Sequence, residues 1–268
     1  MGTAVGFIGA GNIARAILTG VDKGGVYKRE EIGIFDVVEA VREDFKEKGY
    51  QVYESVEELV AQSDMTVVAV TPQVIGKVAP QIKEGISEGK VILSLAAGIS
   101  TEWYKEHLGG DYKVVRCMPT LTAQECMGSF AVSKSEVVSD ADFELADRFL
   151  SSCGIVEQIP EDLMDVVVPL NGSAPGYFYH MARVIADEGE KMGFDRLTAL
   201  RLFAQTMKGS AETILNSGMT IETLEDKLRL PGGTTLAALD KMDELGFDEC
   251  IVEGVKACAK RSRELGKL

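Results

Sequence analysis

The chain is poor in the residues that build metal centres and disulfide frameworks. Among 268 residues it has two histidines, His107 and His180, and five cysteines, Cys117, Cys126, Cys153, Cys250 and Cys258. A histidine-rich metal site is therefore out of reach, and no metal is expected. The cysteines are odd in number and form no C-x-x-C pair, which suits reduced thiols used in packing. Positive charge is also scarce. Lys and Arg number 28 against 42 Asp and Glu, a formal charge of −14, and a field of that sign repels nucleic acid and anionic membrane surfaces. A small anionic ligand must then be held by local donors. No apolar run approaches the roughly 18 residues of a membrane span, and no basic segment followed by an apolar one opens the chain. The expectation is a cytoplasmic protein with no membrane or nucleic-acid partner. There is no low-complexity segment and no repeat of fixed period, and the length allows one large domain or two modest ones.

What is present begins at the start. Ala4-Val5-Gly6-Phe7-Ile8 is an apolar strand-like run that enters a G-x-G-x-x-A turn at Gly9, Gly11 and Ala14, then an alanine-rich helical pattern from Arg15 to Leu18. Gly9 lets the chain turn tightly, Gly11 puts no side chain between backbone and a diphosphate, and Ala14 lets helix and strand pack closely. The free N–H groups and positive dipole end of the helix complete a phosphate seat. Such a turn also occurs without any nucleotide, but here it follows a strand and an acid stands some twenty residues on. That acid is Asp36, at the end of the second strand Glu31–Phe35, placed to accept hydrogen bonds from adenosine ribose hydroxyls and to repel a 2′-phosphate. Position 37 is Val, and Arg42 lies one helical turn further, so NAD(H) is favoured with NADP(H) as the alternative. Asp36 as a helix cap fits the same position.

Strands and helices alternate through the first part of the chain, which predicts a mostly parallel, doubly wound sheet. Strands are expected near 51–53, 65–70, 90–94, 113–117, 128–132 and 155–157, with helices between them. Past Pro160 strands disappear and helical periodicity takes over. The expected division is therefore a dinucleotide-binding α/β domain at 1–160 and an all-α domain at 161–268. Met164 to Leu170 is apolar and expected to be buried; helices are expected over 175–191, 195–216, 221–228, 236–245 and 247–268. The stripes Val184, Leu200, Phe203, Met207, Ile214, Leu239, Val252 and Val255 exceed what one short bundle can bury, so pairing of subunits through these helices is expected. A self-contained bundle is the competing view.

The second informative cluster is Pro231-Gly232-Gly233-Thr234-Thr235. Two glycines leave backbone exposed at a helix start beside two hydroxyls, a nest suited to a carboxylate. An ordinary proline-initiated helix start reads equally well from five residues. Cys117 beside Met118-Pro119 is better explained by packing than as a nucleophile. His107 and His180 have no nameable partners, although His180 falls on the substrate side of its helix.

These residues carry a family likeness that spans nearly the whole chain. Gly6-Phe7-Ile8-Gly9-Ala10-Gly11-Asn12, Ala69-Val70-Thr71-Pro72, Ser94-Leu95-Ala96-Ala97-Gly98, Arg116-Cys117-Met118-Pro119, Asn171-Gly172-Ser173-Ala174-Pro175-Gly176-Tyr177 and Pro231-Gly232-Gly233-Thr234-Thr235 resemble the pyrroline-5-carboxylate reductases. The resemblance implies an N-terminal Rossmann domain, an all-α C-terminal dimerisation domain intertwined with its neighbour, and assembly of dimers into higher oligomers. It implies NAD(P)H-dependent reduction of the cyclic imine 1-pyrroline-5-carboxylate to L-proline, the closing step of proline biosynthesis. The implied cofactor residues are Ile8, Gly9, Ala10, Gly11, Asn12, Ile13, Asp36, Ala69, Val70, Thr71, Pro72, Ala96, Ala97, Met118 and Pro119. Gly232, Gly233, Thr234, Thr235 and Ser173 are implied for the substrate, with Thr235 the catalytic residue. The chain departs from the family at Thr71, at Thr120-Leu121-Thr122 and at Leu230, where the family usually has Lys, Asn-Thr-Pro and Ser. Two other functions are therefore kept open: reduction of a different small imine or keto compound, and a non-catalytic dinucleotide-binding regulator. The β-hydroxyacid dehydrogenases share the domain order but need a lysine that the stretch from Gly172 to Asp187 lacks.

Overall fold

The structure is a computed structural model that describes residues 3–265. Strand β1 (Thr3–Ile8) is buried on both faces, as a continuous apolar run in a parallel sheet must be. It leads into helix α1 (Asn12–Gly24), which ends at Gly25 in the left-handed region. The alternation then continues through β2 (Ile32–Phe35), α2 (Glu39–Glu47), β3 (Gln51–Val52), α3 (Val56–Gln62), β4 (Ser63–Val68), α4 (Pro72–Gly85), β5 (Val91–Ser94), α5 (Thr101–Leu108) and β6 (Lys113–Met118). Strand β7 (Gly128–Lys134), helix α6 (Asp140–Ser151) and strand β8 (Gly154–Gln158) close the sheet. The strand order is β3-β2-β1-β4-β5-β6-β7-β8. Every pairing is parallel except β6 with β7, where Cys117 faces Val132.

Chain order reverses between β1 and β4, which pair with Gly6 opposite Thr66. Loops leaving the carboxyl ends of these two strands part to opposite faces of the sheet, and the crevice between them is where such folds bind ligands. Each face has its own core. Val5, Phe7, Ile17, Leu18, Ile34 and Phe149 pack on one side; Leu59, Val60, Ile75, Ile82, Ile92 and Tyr104 pack on the other. Gly6 allows α3 to lie directly on β1, since a Cβ there would stand 2.7 Å from the Leu59 side chain of that helix.

Beyond β8 the chain is helical: α7 (Ala174–Lys191), α8 (Arg196–Asn216), α9 (Ile221–Asp226), α10 (Thr234–Glu244) and α11 (Phe247–Leu265). Helices α8, α9 and α10 bury no residue fully. Val184, Ile214 and Val252, expected to lie in a helical interface, are about half exposed in the single chain. Met164 is buried as expected, but Leu170 is 70% exposed. The segment is a series of turns rather than a buried run: Val167 N–H donates to Leu163 O and Leu170 N–H to Val167 O. Packing divides the chain into residues 1–174 with 258–268 and residues 175–257. The strands end near 160, whereas the turns up to 174 and the last turns of α11 pack with the sheet unit. Cys258 Sγ donates to Ser173 Oγ at 3.4 Å, and Ser262 is buried. Among the described residues no helix is long and apolar enough to cross a membrane.

Two features of the sheet unit are testable. A Cβ on Gly20 of α1 would lie 2.0 Å from Ala123 O and 2.6 Å from Cys153 Cβ, so α1 meets the 121–125 turn backbone to backbone. Gly20→Ala should cost about 1–3 kcal/mol in denaturant unfolding; an unchanged midpoint would contradict this packing. Asp142 accepts from Lys113 Nζ at 2.8 Å and from Ser139, and these bonds, Lys113 first, hold its carboxyl below the usual range. A depressed folded pKa adds stability above about pH 4 that is lost as pH falls through the folded value. Thermal melts of Asp142→Asn should show lower stability at neutral pH and a flatter acid limb.

Candidate functional site

The glycine turn is pinned to the neighbouring strand. Gly9 N–H donates to Phe35 O at 2.8 Å, and Ala10 N–H donates to Asp36 Oδ2 at 2.9 Å. Gly9 has φ 90°, and a Cβ on it would come within 3.0 Å of Ala69 O; only glycine turns here without strain. Gly11 is different. It is the N-cap of α1, its backbone is extended, and no side chain caps the helix. A Cβ on it would meet nothing within 4 Å. The first turn of α1 therefore presents backbone donors and a positive dipole end to open space, the arrangement that seats an anion. Ala14 is fully buried at the helix–sheet contact.

That space is a cleft of about 480 Å3 lined by Gly11, Asn12 and Ile13, by Ala69 to Pro72, by Leu95 and Ala97, and by Met118, Pro119, Leu121, Val168, Gly172 and Ser173. The carboxyl ends of β1, β4, β5 and β6 bring these segments together. None of the lining side chains is ionisable. The dinucleotide called for by the sequence fits this surface: an uncapped helix start for the diphosphate, and an apolar wall without charge for a planar ring. Ile8, Ala10 and Ala96, also expected at the cofactor, are buried beneath the cleft and act on its shape rather than its surface. Ser173, expected at the substrate, lines it.

Several contacts that shape the cleft were not read from the sequence, although Ser94, Arg116 and Asn171 carry the family likeness and Thr120 one of the departures from it. Buried Asn171 donates Nδ2–H to Met118 O at 2.9 Å and accepts from Gly172 N–H, clamping two walls together. Thr120 Oγ1 accepts from Ser129 N–H at 2.9 Å. Buried Arg116 pairs with Asp165 at 2.6 Å and Glu161 at 3.7 Å, and Glu161 also accepts from Thr101 N–H at 2.7 Å. Tyr104 donates to Ser94 Oγ at 2.8 Å, and burial pushes its phenol up. Their partners lie up to 60 residues away in sequence, so no local signal points to them.

Asp36 lies beside the cleft. Its Oδ1 accepts from Val38 N–H at 2.9 Å, so it holds the turn and starts α2 at once. Each carboxylate oxygen keeps acceptor capacity for a ribose hydroxyl. Val37 next to it is 83% exposed. Arg42 donates Nη1–H to Asp36 O at 2.7 Å.

The Pro231–Thr235 cluster belongs to the helical unit. Gly232 has φ 74°, and Gly233 N–H donates to Leu230 O at 2.8 Å, the closure of a type II turn. The Gly233 amide, expected to bind a carboxylate, is thus spent on the turn. Gly233 is the N-cap of α10 with no side-chain cap. Thr234 and Thr235 are exposed, and among the described residues neither hydroxyl has a hydrogen-bond partner. Leu230 is 63% exposed.

The remaining candidates sit elsewhere. Cys117 is buried, and burial pushes its thiol up, so it is inert packing rather than a nucleophile. His107 stacks on Trp103 at 3.8 Å, and exposed His180 stands 3.5 Å from Arg183. Among the described residues no cluster of three His, Cys, Asp or Glu could hold a metal.

Comparison with known proteins gives a consistent pattern. Residues 161–265 match the family model for pyrroline-5-carboxylate reductase dimerisation, and residues 4–98 match that for NADP oxidoreductase, coenzyme F420-dependent. The chain is 34% identical to a pyrroline-5-carboxylate reductase of Methanosarcina acetivorans over 264 residues, 98% of each chain. It is 33% identical to one of Arabidopsis thaliana, covering 98% of this chain and 95% of that one. Among solved structures, the Plasmodium falciparum pyrroline carboxylate reductase with NADP bound superposes with a TM-score of 0.90 at 28% identity, covering 98% of each chain. The Coxiella burnetii pyrroline-5-carboxylate reductase gives 0.89 at 27% identity, covering 99% of each.

The two glycines of the turn can be separated experimentally. Gly11→Ala should leave the melting temperature unchanged yet weaken NAD+ binding at least tenfold by calorimetry, because its methyl projects into the diphosphate space. Gly9→Ala should lower the melting temperature through backbone strain. Full nucleotide affinity in Gly11→Ala would rule out this seat.

Proposed function

This chain belongs to the pyrroline-5-carboxylate reductase family, and from that premise we propose that it reduces 1-pyrroline-5-carboxylate to L-proline with a nicotinamide cofactor. The observation that carries the reading is a cleft with no ionisable side chain opening onto the uncapped start of α1. Such a surface offers the hydroxyls of Thr71 and Ser173 but no ionisable side chain to activate them or to act as a general base. It suits a reaction whose reducing equivalent arrives as hydride, which the cofactor supplies when bound. A protonated cyclic imine is already a strong electrophile, so positioning is the main demand on the protein.

In this reading the Gly11, Asn12 and Ile13 amides hold the diphosphate, and Ala69 to Pro72, Ala97, Met118 and Pro119 flank the nicotinamide. Ser173 stands on the substrate side, with its Oγ oriented by Cys258. In the proposed dimer the amides of Thr234 and Thr235 and the Thr234 hydroxyl hold the substrate carboxylate, and Thr235 Oγ1 accepts the N–H of the protonated imine, so that the proton stays on the ring nitrogen as the hydride is received. Support comes from the absence, among the described residues, of any competing partner for either hydroxyl. NAD(H) is the favoured cofactor because Asp36 places a carboxylate beside the adenosine ribose; NADP(H), bound by the Plasmodium relative, is the alternative. Helices α8 to α10, which bury nothing fully, support a homodimer formed through the C-terminal unit, and further assembly of such dimers extends the same proposal. Residence in the cytoplasm completes it.

Initial rates with NADH and NADPH against pyrroline-5-carboxylate test the reading. Thr235→Ala should lower kcat/KM about ten- to a hundredfold, the cost of losing hydrogen bonds to a charged group. Asp36→Ser should move the cofactor preference toward NADPH. Tight cofactor binding with no turnover on this or any related imine would instead support a non-catalytic regulator.

A further inference from the structure

We propose that Glu54, on the loop after β3, sets the choice between the two dinucleotides by holding the Arg42 guanidinium away from the position a 2′-phosphate would take. The proposal rests on the reading above, in which Asp36 faces the adenosine ribose. Arg42 stands on α2. Its Nη1–H donates to the carbonyl of Asp36 at 2.7 Å, which places the guanidinium at the end of β2. Its Nη2 lies 3.2 Å from Glu54 Oε2. The Arg42 side chain is only 18% exposed and that of Glu54 is 78% exposed. The cation is thus laid flat between a backbone acceptor and an exposed acid.

The other guanidinium near the glycine turn is likewise engaged. Arg15 donates Nε–H to Ala10 O at 3.1 Å, pairs with Asp44 at 2.8 Å and lies over the Phe45 ring at 4.7 Å. Asp44 bonds Lys48 as well, so Arg15 sits in a denser network. The strand end therefore carries the Asp36 and Glu54 carboxylates against the single charge of Arg42. A phosphate monoester adds nearly two negative charges at neutral pH. To meet it, Arg42 must leave an acid that attracts it, and the phosphate must approach that acid. A plain ribose brings no charge and asks nothing of Arg42. Glu54 is a positioning residue in this scheme: it acts through Arg42, whereas Asp36 acts on the ribose directly.

Because the Arg42–Glu54 pair is exposed on one side, breaking it alters charge with little loss of stability. The test is calorimetric binding of NAD+ and NADP+ to the whole protein, with thermal melts alongside. Glu54→Gln should tighten NADP+ about three- to tenfold and leave NAD+ within twofold. The gain should shrink at high salt, as the field of exposed charges is screened. Arg42→Ala added to Glu54→Gln should abolish it. Asp36→Ser, measured separately, reports on the underlying reading: if it moves no preference, the placement of the ribose is wrong. If Asp36→Ser shifts the preference while Glu54→Gln binds NADP+ as the parent does, or if the gain survives Arg42→Ala, the role given to Glu54 is overturned and the family reaction stands.

Discussion

The two hydrogen bonds that tie the glycine turn to the end of β2 are what the site depends on. Gly9 N–H meets the Phe35 carbonyl and Ala10 N–H meets the Asp36 carboxylate. With the turn pinned on that side, the chain can only leave β1 by swinging over β4, and only a residue at positive φ can make that exit. The start of α1 is then carried to the reversal point of the sheet with its amides uncapped. Asp36 is consequently a structural residue, and in the proposed function a recognition residue as well. A side chain that lost the carboxylate would loosen the turn and, on that proposal, change what the ribose meets.

The charge distribution follows the same logic. On the proposed function, a chain of net charge −14 binds an anion by excluding side-chain charge from the site and using fixed backbone dipoles, which carry no counter-ion of their own. The cleft has no ionisable lining residue, while the ion pairs that shape it, such as Arg116 with Asp165 and Glu161, lie outside it. A pair of this kind, with a buried cation and half-buried acids, contributes little net stability, but removing the acids strands the buried Arg116 charge. Its value here is geometric: it fixes the turns from 161 onward against β6, and Asn171 then joins them to Met118.

The C-terminal unit follows a different principle. Its four-residue cap at Leu230–Gly233 closes on itself, leaving Thr234 and Thr235 with hydroxyls that have no partner among the described residues. Its long helices keep apolar residues such as Phe178, Tyr179 and Ile214 at the surface. A folded unit in which α8, α9 and α10 bury nothing fully and α7 buries only Ala182 and Ala186 has little core of its own. The dimerisation model matched over 161–265 accounts for that deficit.

Much of this was legible in the residue order, because it is encoded at short range. Glycine spacing after an apolar strand marks the phosphate seat, alternating patterns mark the parallel sheet, and loss of strands near Pro160 marks the helical part; each depends on neighbours within a few positions. The packing of 161–174 and the end of α11 with the sheet unit, the clamp at Asn171, the Arg116 network and the seating of Arg42 against Glu54 needed the folded chain. Those contacts join residues from about a dozen to several dozen positions apart, and a sequence read locally carries no distance between them. The Gly233 amide shows the same limit at short range: five residues announce a nest of donors, but which donor is already spent is decided by the φ of Gly232 and the closure of one turn.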